Sequence, residues 1–449
     1  MSKQRIQLSD HFTYSRLLRF VLPCIGTMLF TSIYGIVDGL CVSNFVGKTA
    51  FAAVNLIMPL PMLLGTIGFM LGTGGSAIVG ITLGEGDQKK ADRYFTLFLL
   101  AALVSVSVLA VLGIVFLRPI AVLLGAKGEL LDYAVRYGRI LMVSLPTFAL
   151  QNMFQSFFVT AEKPHLGFWF TVGAGCTNMV LDVLMVGVWG WGVEGAAIAT
   201  FISQLVGGVL PVFYFIDRSN SSRLHLCKTS FYSKVLRDAC INGSSELMTN
   251  LSMSLVNILY NYQLLRLAGE NGVAAYGVIM YAAFLFVAVF EGYAVGSAPI
   301  VSFHYGARNH TEVHNLYRKS LRLIAVVAVT LTLASMFIIP CVARIFVGYD
   351  AELLALTSRA FRLYALSFLI MGFNVYASSF FTALGDGVTS ALISFLRTLA
   401  FQVIAILLLP LLLGIDGIWL AVTAAELAAL AVSAAMLLTK DKVFHYRKA

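Results

Sequence analysis

Two aspartates stand inside long apolar runs of this chain, each with a polar residue one helical turn before it. Asp38 follows Tyr34 and Asp182 follows Asn178, so on a helix each pair shares a face. A carboxylate in such a run costs about 2.5 to 3.5 kcal/mol to insert, which calls for a partner or a function. At 1.5 Å per residue, Asp38 stands about 13 Å and Asp182 about 10 Å from the outer ends of their helices, at similar depth. Thr200, on the following run, falls at a comparable level. Carboxylate, amide and hydroxyl oxygens in one layer can share a proton between two acids or ligate a small hard cation. The same acids could also be satisfied one by one through hydrogen bonds.

The second half carries a different set: Glu246, Glu291, Arg397 and Glu426. Arg397 and Glu426 sit near mid-membrane on consecutive runs and suit a structural ion pair. Glu291 could face a central cavity and attract a cationic substrate, or pair locally. Gln155, with Gln151 and Asn152, could line that cavity or bind helices together. His310 and His314 are one turn apart but lie in a loop beside Arg308, a poor setting for a metal. The six cysteines show no C-x-x-C spacing, so neither a zinc site nor a disulfide framework is expected. No ATP-binding motif is present: Gly72-Thr73-Gly74-Gly75 has no strand before it and no lysine after it.

The elements that must hold these residues are membrane helices. With 59% hydrophobic and 12% charged residues, the 449-residue chain falls far from the soluble average of about 25% charged. Twelve stretches each supply the roughly 20 apolar residues that span a bilayer. An even count puts both termini on one side. Most lysines and arginines fall in loops on that side, among them Lys89, Lys90, Arg93, Arg218, Arg223, Arg318, Lys319 and Arg322, which predicts that it is cytoplasmic. The net charge of +9 is then mostly topology, and no nucleic-acid partner is expected. The first apolar run is long and followed by others, so it acts as its own targeting signal rather than as a cleaved leader.

The halves repeat each other. Tyr14-Ser15-Arg16-Leu17-Leu18-Arg19 is echoed by Tyr232-Ser233-Lys234-Val235-Leu236-Arg237. Ala52-Ala53, Gly74, Val79 and Gly84 recur at one constant spacing as Ala274-Ala275, Gly296, Val301 and Gly306. Gly192-Val193-Glu194-Gly195 recurs as Gly414-Ile415-Asp416-Gly417. The pattern predicts an all-α membrane protein of two pseudo-symmetric six-helix lobes around a central cavity, residues 1–217 and 238–449, joined by a cytoplasmic linker at 218–237. Parallel repeats with a site between them are the mark of a transporter. By the same spacing Asp38 falls near Tyr260 and Asp182 near Ala405, so the second lobe does not copy the acid layer.

The chain resembles the multidrug and toxic compound extrusion (MATE) transporters, and among them the prokaryotic DinF-type branch. The likeness covers essentially the whole length and is carried by the twelve spans, the Gly47 to Pro59 segment (GKTAFAAVNLIMP), the Gly72 to Gly86 segment and the polar layer. The resemblance implies that Pro23 bends the first helix below Asp38, and that Tyr34, Asn178, Asp182 and Thr200 bind the coupling ion. That ion is H+ or Na+, with Asp38 and Asp182 as metal ligands only in the sodium case. Glu246 resembles a coupling glutamate on helix seven of another branch. The acid that branch carries on helix ten is missing, with Asn374 the nearest polar residue. Glu246, Glu291, Asn374 and Gln155 thus form a candidate substrate or second cation site.

These readings predict a cation-coupled antiporter in a prokaryotic plasma membrane, both termini cytoplasmic, exporting amphipathic cationic drugs. It is not an enzyme, needs no cofactor, and is expected to be a monomer among lipids. Two alternatives are a lipid-linked oligosaccharide flippase of the same superfamily and a membrane-embedded enzyme or channel. A flippase would favour several buried cations for a diphosphate, and the chain offers Arg397 alone. An enzyme should show nucleophile, base or metal-ligand spacing on adjacent helices.

Overall fold

The computed structural model describes residues 6–46, 48–348 and 350–447, which contain helices and no strand. The first lobe comprises α1 (Tyr14–Phe45), a short α2 (Lys48–Ile57), α3 (Pro59–Gly84), α4 (Gln88–Leu123), α5 (Glu129–Thr160) and α6 (Pro164–Asp182). The last of these runs into a π turn at Val183–Val188. Its sixth span is α7 (Gly192–Gln204), a second π turn at Leu205–Val209, and α8 (Leu210–Ile216).

After the linker, α9 (Ser233–Asn242) leads into α10 (Ser244–Gly306). At 1.5 Å per residue its 63 residues would be about 95 Å long, three times the hydrocarbon thickness. Gly269 divides it, with φ 61° and ψ −150°, a backbone that side chains rarely tolerate, and so makes spans seven and eight. There follow α11 (His310–Val347), then α12 (Ala351–Ala365) and α13 (Phe368–Ala383), bent by 46° into one broken span. Span eleven is α14 (Gly387–Phe395), a third π turn at Leu396–Ala400, and α15 (Phe401–Leu413). The chain ends with α16 (Ile415–Thr439) and a short α17 (Asp441–Phe444).

Helix starts follow local chemistry. Pro59 and Pro164 open α3 and α6, where a missing N–H costs nothing. Asp87 caps α4 by accepting from the Lys90 amide at 3.0 Å, and Asn309 caps α11 from the Glu312 amide at 3.1 Å. Asn309 is the repeat counterpart of Asp87.

The lobes meet through the repeated glycines. A Cβ on Gly84 of α3 would strike the Phe303 carbonyl oxygen of α10, and one on Gly306 of α10 would strike the Ile81 carbonyl oxygen of α3. Gly74 lies against Ala239 and Gly243, while Gly296 lies against Val21 and Cys24. The contacts mirror each other, which is the two-fold relation of the halves expressed in packing. Small residues let these backbones approach closely where lipid supplies no hydrophobic drive. All of them lie toward the face that carries the termini, so the lobes are closed there.

The linker is laid on the first lobe. His225 N–H donates to Asp92 Oδ1 at 3.0 Å, Cys227 N–H to Thr96 Oγ1 at 3.1 Å, and the Thr229 hydroxyl to the Arg93 carbonyl at 2.8 Å. Tyr232 sets its ring edge-on to Tyr94, centroids 5.5 Å apart. Helix α9 straddles the boundary expected at residue 237, so the seventh span begins with an amphipathic turn that the linker leads into.

Candidate functional site

The polar layer of the first lobe is built on α1, α6 and α7. Asp182 is the last residue of α6 before the π turn and has no exposed surface. Asn178, one turn earlier, is also buried, and its Nδ2 finds no hydrogen-bond acceptor among the described residues. Tyr34 of α1 lays its ring on α6 at Gly175, where a Cβ would come within 3.0 Å of it. Thr200 is half-buried on α7, its hydroxyl donating to the Ala196 carbonyl at 3.0 Å. The side chain of Asp38 lies outside the described residues; its backbone is in α1. The π turn beside Asp182 inserts an extra residue into the helical ladder, a distortion that often marks functional sites. Pro23 is inside α1, its carbonyl taking the Thr27 hydroxyl at 2.9 Å.

The second lobe holds a bonded network. Arg397, in the third π turn, places Nη1 3.5 Å from Glu426 Oε1. Glu426 Oε2 accepts from Asn374 Nδ2 at 2.7 Å, and Asn374 Oδ1 accepts from Ser433 at 2.8 Å. Asn374 and Glu426 are buried, and Asn374 is bonded to Glu426 and to Ser433. Glu246 is half-buried and Glu291 exposed, and both lie close enough to Arg397 to feel its charge. Gln155 is on α5. It lines a small cavity between α1, α5, α6 and α10 with Cys24, Thr27, Met28 and Val295.

One polar cluster escaped the sequence reading. Ser378 meets Ser390 at 2.8 Å and Ser394 at 2.9 Å, and Thr382 meets Ser390 at 2.7 Å, all between α13 and α14. Hydroxyls at i and i+4 on two consecutive helices were the available signal. Among the described residues no three His, Cys, Asp or Glu side chains gather as a metal site.

The comparisons agree with this geometry. The MatE family profile matches residues 23–184 and 247–408, one copy in each lobe. The chain is 21% identical over 436 residues to the "Multidrug export protein MepA" of Staphylococcus saprophyticus, covering 96% of this chain and 95% of that one. It is 22% identical over 433 residues to the MepA of Staphylococcus aureus, with the same coverage. A solved structure of a MATE in complex with MaL6 superposes with a TM-score of 0.92 at 22% identity, covering 100% of both chains. So does an outward-facing conformation of a multidrug resistance MATE family transporter, also at 0.92 and 22%. Two matched halves, twelve spans and a seam of repeated glycines give one conclusion: the chain belongs to the MatE family of membrane transporters.

Proposed function

We propose that this transporter exports amphipathic, cationic drugs or toxic small molecules in exchange for inward-moving H+ or Na+, and that the first lobe carries the coupling ion. The observation that carries the reading is Asp182, fully buried at a π turn with Asn178 on its face and the Tyr34 ring about two turns away at Gly175. A buried carboxylate with an amide side chain one turn before it, able to take a proton or a small cation, is what coupling to an ion gradient needs. Inward movement of one charge yields about 2.3 kcal/mol per 100 mV. The relatives' printed role, multidrug export, supports the choice of cargo.

The face that carries the termini is cytoplasmic on this reading, since the basic loops lie there. The protein acts as a monomer in the cell membrane. A lipid-linked diphosphate cargo is not favoured, because Arg397 is already engaged by Glu426. Drug efflux from everted vesicles, driven in turn by a pH gradient and by a sodium gradient, tests the proposal. Efflux should follow one of the two gradients. Efflux that ignores both while the protein is intact overturns it.

A further inference from the structure

Two carboxylates on opposite lobes hold the same short segment. Residues Leu8 to Phe12 precede the first span, yet Leu8 and Phe12 have no exposed surface. The Leu8 N–H donates to Glu162 Oε1 at 2.8 Å, on the turn between α5 and α6 of the first lobe. The Phe12 N–H donates to Glu312 Oε1 at 2.9 Å, in the first turn of α11 of the second lobe. His11 Nδ1 lies 2.6 Å from the other Glu312 oxygen. The Phe12 carbonyl accepts from Lys319 at 2.6 Å and from Asn315 at 3.2 Å. Glu312, Asn315 and Lys319 form one stripe at i, i+3 and i+7 of α11. Glu162 also binds Arg223 at 2.5 Å, and that guanidinium lies 4.8 Å over the Phe303 ring, where α3 and α10 close. The segment therefore crosses the seam between the lobes.

We propose that residues 8–12 are a strap that locks this face shut, and that in each transport cycle the strap releases Glu162 while staying on Glu312. The attachments are unequal. Glu162 gives up one amide and keeps the Arg223 guanidinium, so its charge stays compensated. Glu312 is 5% exposed and would lose both His11 and the Phe12 amide, leaving only Asn315 on a buried carboxylate. Stripping partners from a buried charge is the costlier step. The Phe12 ring, edge-on to His304 at 6.3 Å, adds to the second-lobe anchor. The strap thus travels with the second lobe, and Glu162 and Glu312 are positioning residues for the closed state. The proposal rests on the transport reading only in that the lobes must part; it does not depend on which ion drives them.

Cys24 supplies the reporter, because it is buried at the seam and its Sγ would lie 3.1 Å from a Cβ on Gly296. The full chain, with Cys41, Cys176, Cys227, Cys240 and Cys341 replaced by alanine, is treated in vesicles with a polar maleimide on the terminal face. Glu162→Gly, which suits the left-handed backbone at φ 60°, should speed alkylation of Cys24 about tenfold, the shift that a loss of about 1.4 kcal/mol gives. Glu162→Gln keeps an acceptor for the Leu8 amide and should return the rate toward the parent. In a Cys24→Ala background, Leu8→Cys should label during turnover while Phe12→Cys stays protected. An unchanged Cys24 rate in a folded Glu162→Gly chain overturns the proposal, as does equal labelling at positions 8 and 12. If Glu162→Gly does not fold, the 8-versus-12 comparison decides alone. Labelling that follows the predicted pattern while efflux ignores both gradients would keep the strap and remove the ion assignment.

Discussion

The two lobes share a scaffold and differ in what they do with charge. In the first, no lysine or arginine occurs between Arg19 and Lys48 or between Lys163 and Arg218, so spans one, five and six bring no fixed cation to Asp182. In the second, Glu426 is tied to Arg397, to the Asn374 amide and, through it, to Ser433. An acid that already holds a guanidinium is bound into the structure, whereas Asp182 draws no lysine or arginine from its own span or from spans one and six. The glycine seam, by contrast, is copied faithfully, Gly84 and Gly306 each meeting the other's helix. Duplication kept the surfaces on which the lobes turn and let the polar interiors diverge.

The largest effect expected from this comparison is at Asp182. Asp182→Asn should reduce gradient-driven efflux to background, and adding Asp38→Asn should make it little worse, since groups that share one ion act as a unit. A double variant far worse than either single one would assign the acids separate roles. Next comes the second-lobe pair. Arg397→Met leaves Glu426 buried beside an apolar chain and should cost about 3 to 5 kcal/mol of stability. Arg397→Met combined with Glu426→Leu should recover much of it, while gradient dependence stays as in the parent. Thermal unfolding in detergent and the vesicle assay read the two halves of this statement, and loss of coupling in the double variant would break the contrast between lobes.

The seam should respond symmetrically. Gly84→Ala and Gly306→Ala each overpack a backbone contact and should weaken the closed state by about 1 to 3 kcal/mol. Gly277→Ala, with nothing within 4 Å of its Cβ position, is the neutral control. Unequal effects of the seam pair on Cys24 alkylation would show that the scaffold is less symmetric than its packing.

The smallest effect lies at the start of α14. There Asp386 caps the helix through Thr389 and meets Lys440 at 2.8 Å; the corresponding start of α6 has no carboxylate cap. Burial pushes the Asp386 carboxyl up, but the Lys440 ammonium and the Thr389 hydroxyl and amide together outweigh it and hold the pKa below its ordinary value. Its stabilisation is therefore present above the usual carboxylate range and is lost as pH falls through the lowered value. Asp386→Ala should cost about 1 kcal/mol near neutral pH, and the difference in melting from the parent should vanish on acidification.

The spans were legible because a bilayer demands long apolar runs, and the repeat was legible because its glycines meet partners that also repeat. Gly269 was hidden inside a short polar gap, and only its backbone angles explain how 63 helical residues become two spans. The π turns at Asp182 and Arg397 leave no mark on composition, since one inserted residue does not disturb a uniformly apolar run. Arg397 and Glu426 can be paired on depth alone, whereas the Asn374–Glu426 contact joins residues 52 positions apart and has no local signal. The Glu312 contacts join residues about 300 positions apart and have no local signal.

The docking of the linker bears on how far the halves can separate. Up to Thr229 that segment is hydrogen-bonded to α4, the Tyr232 ring packs on Tyr94 of the same helix, and α9 begins at Ser233, so the chain is held on the first lobe up to the residue before α9. One corner of the molecule is thus pinned, and the motion that this tether leaves freest is a swing about that corner, like a book about its spine.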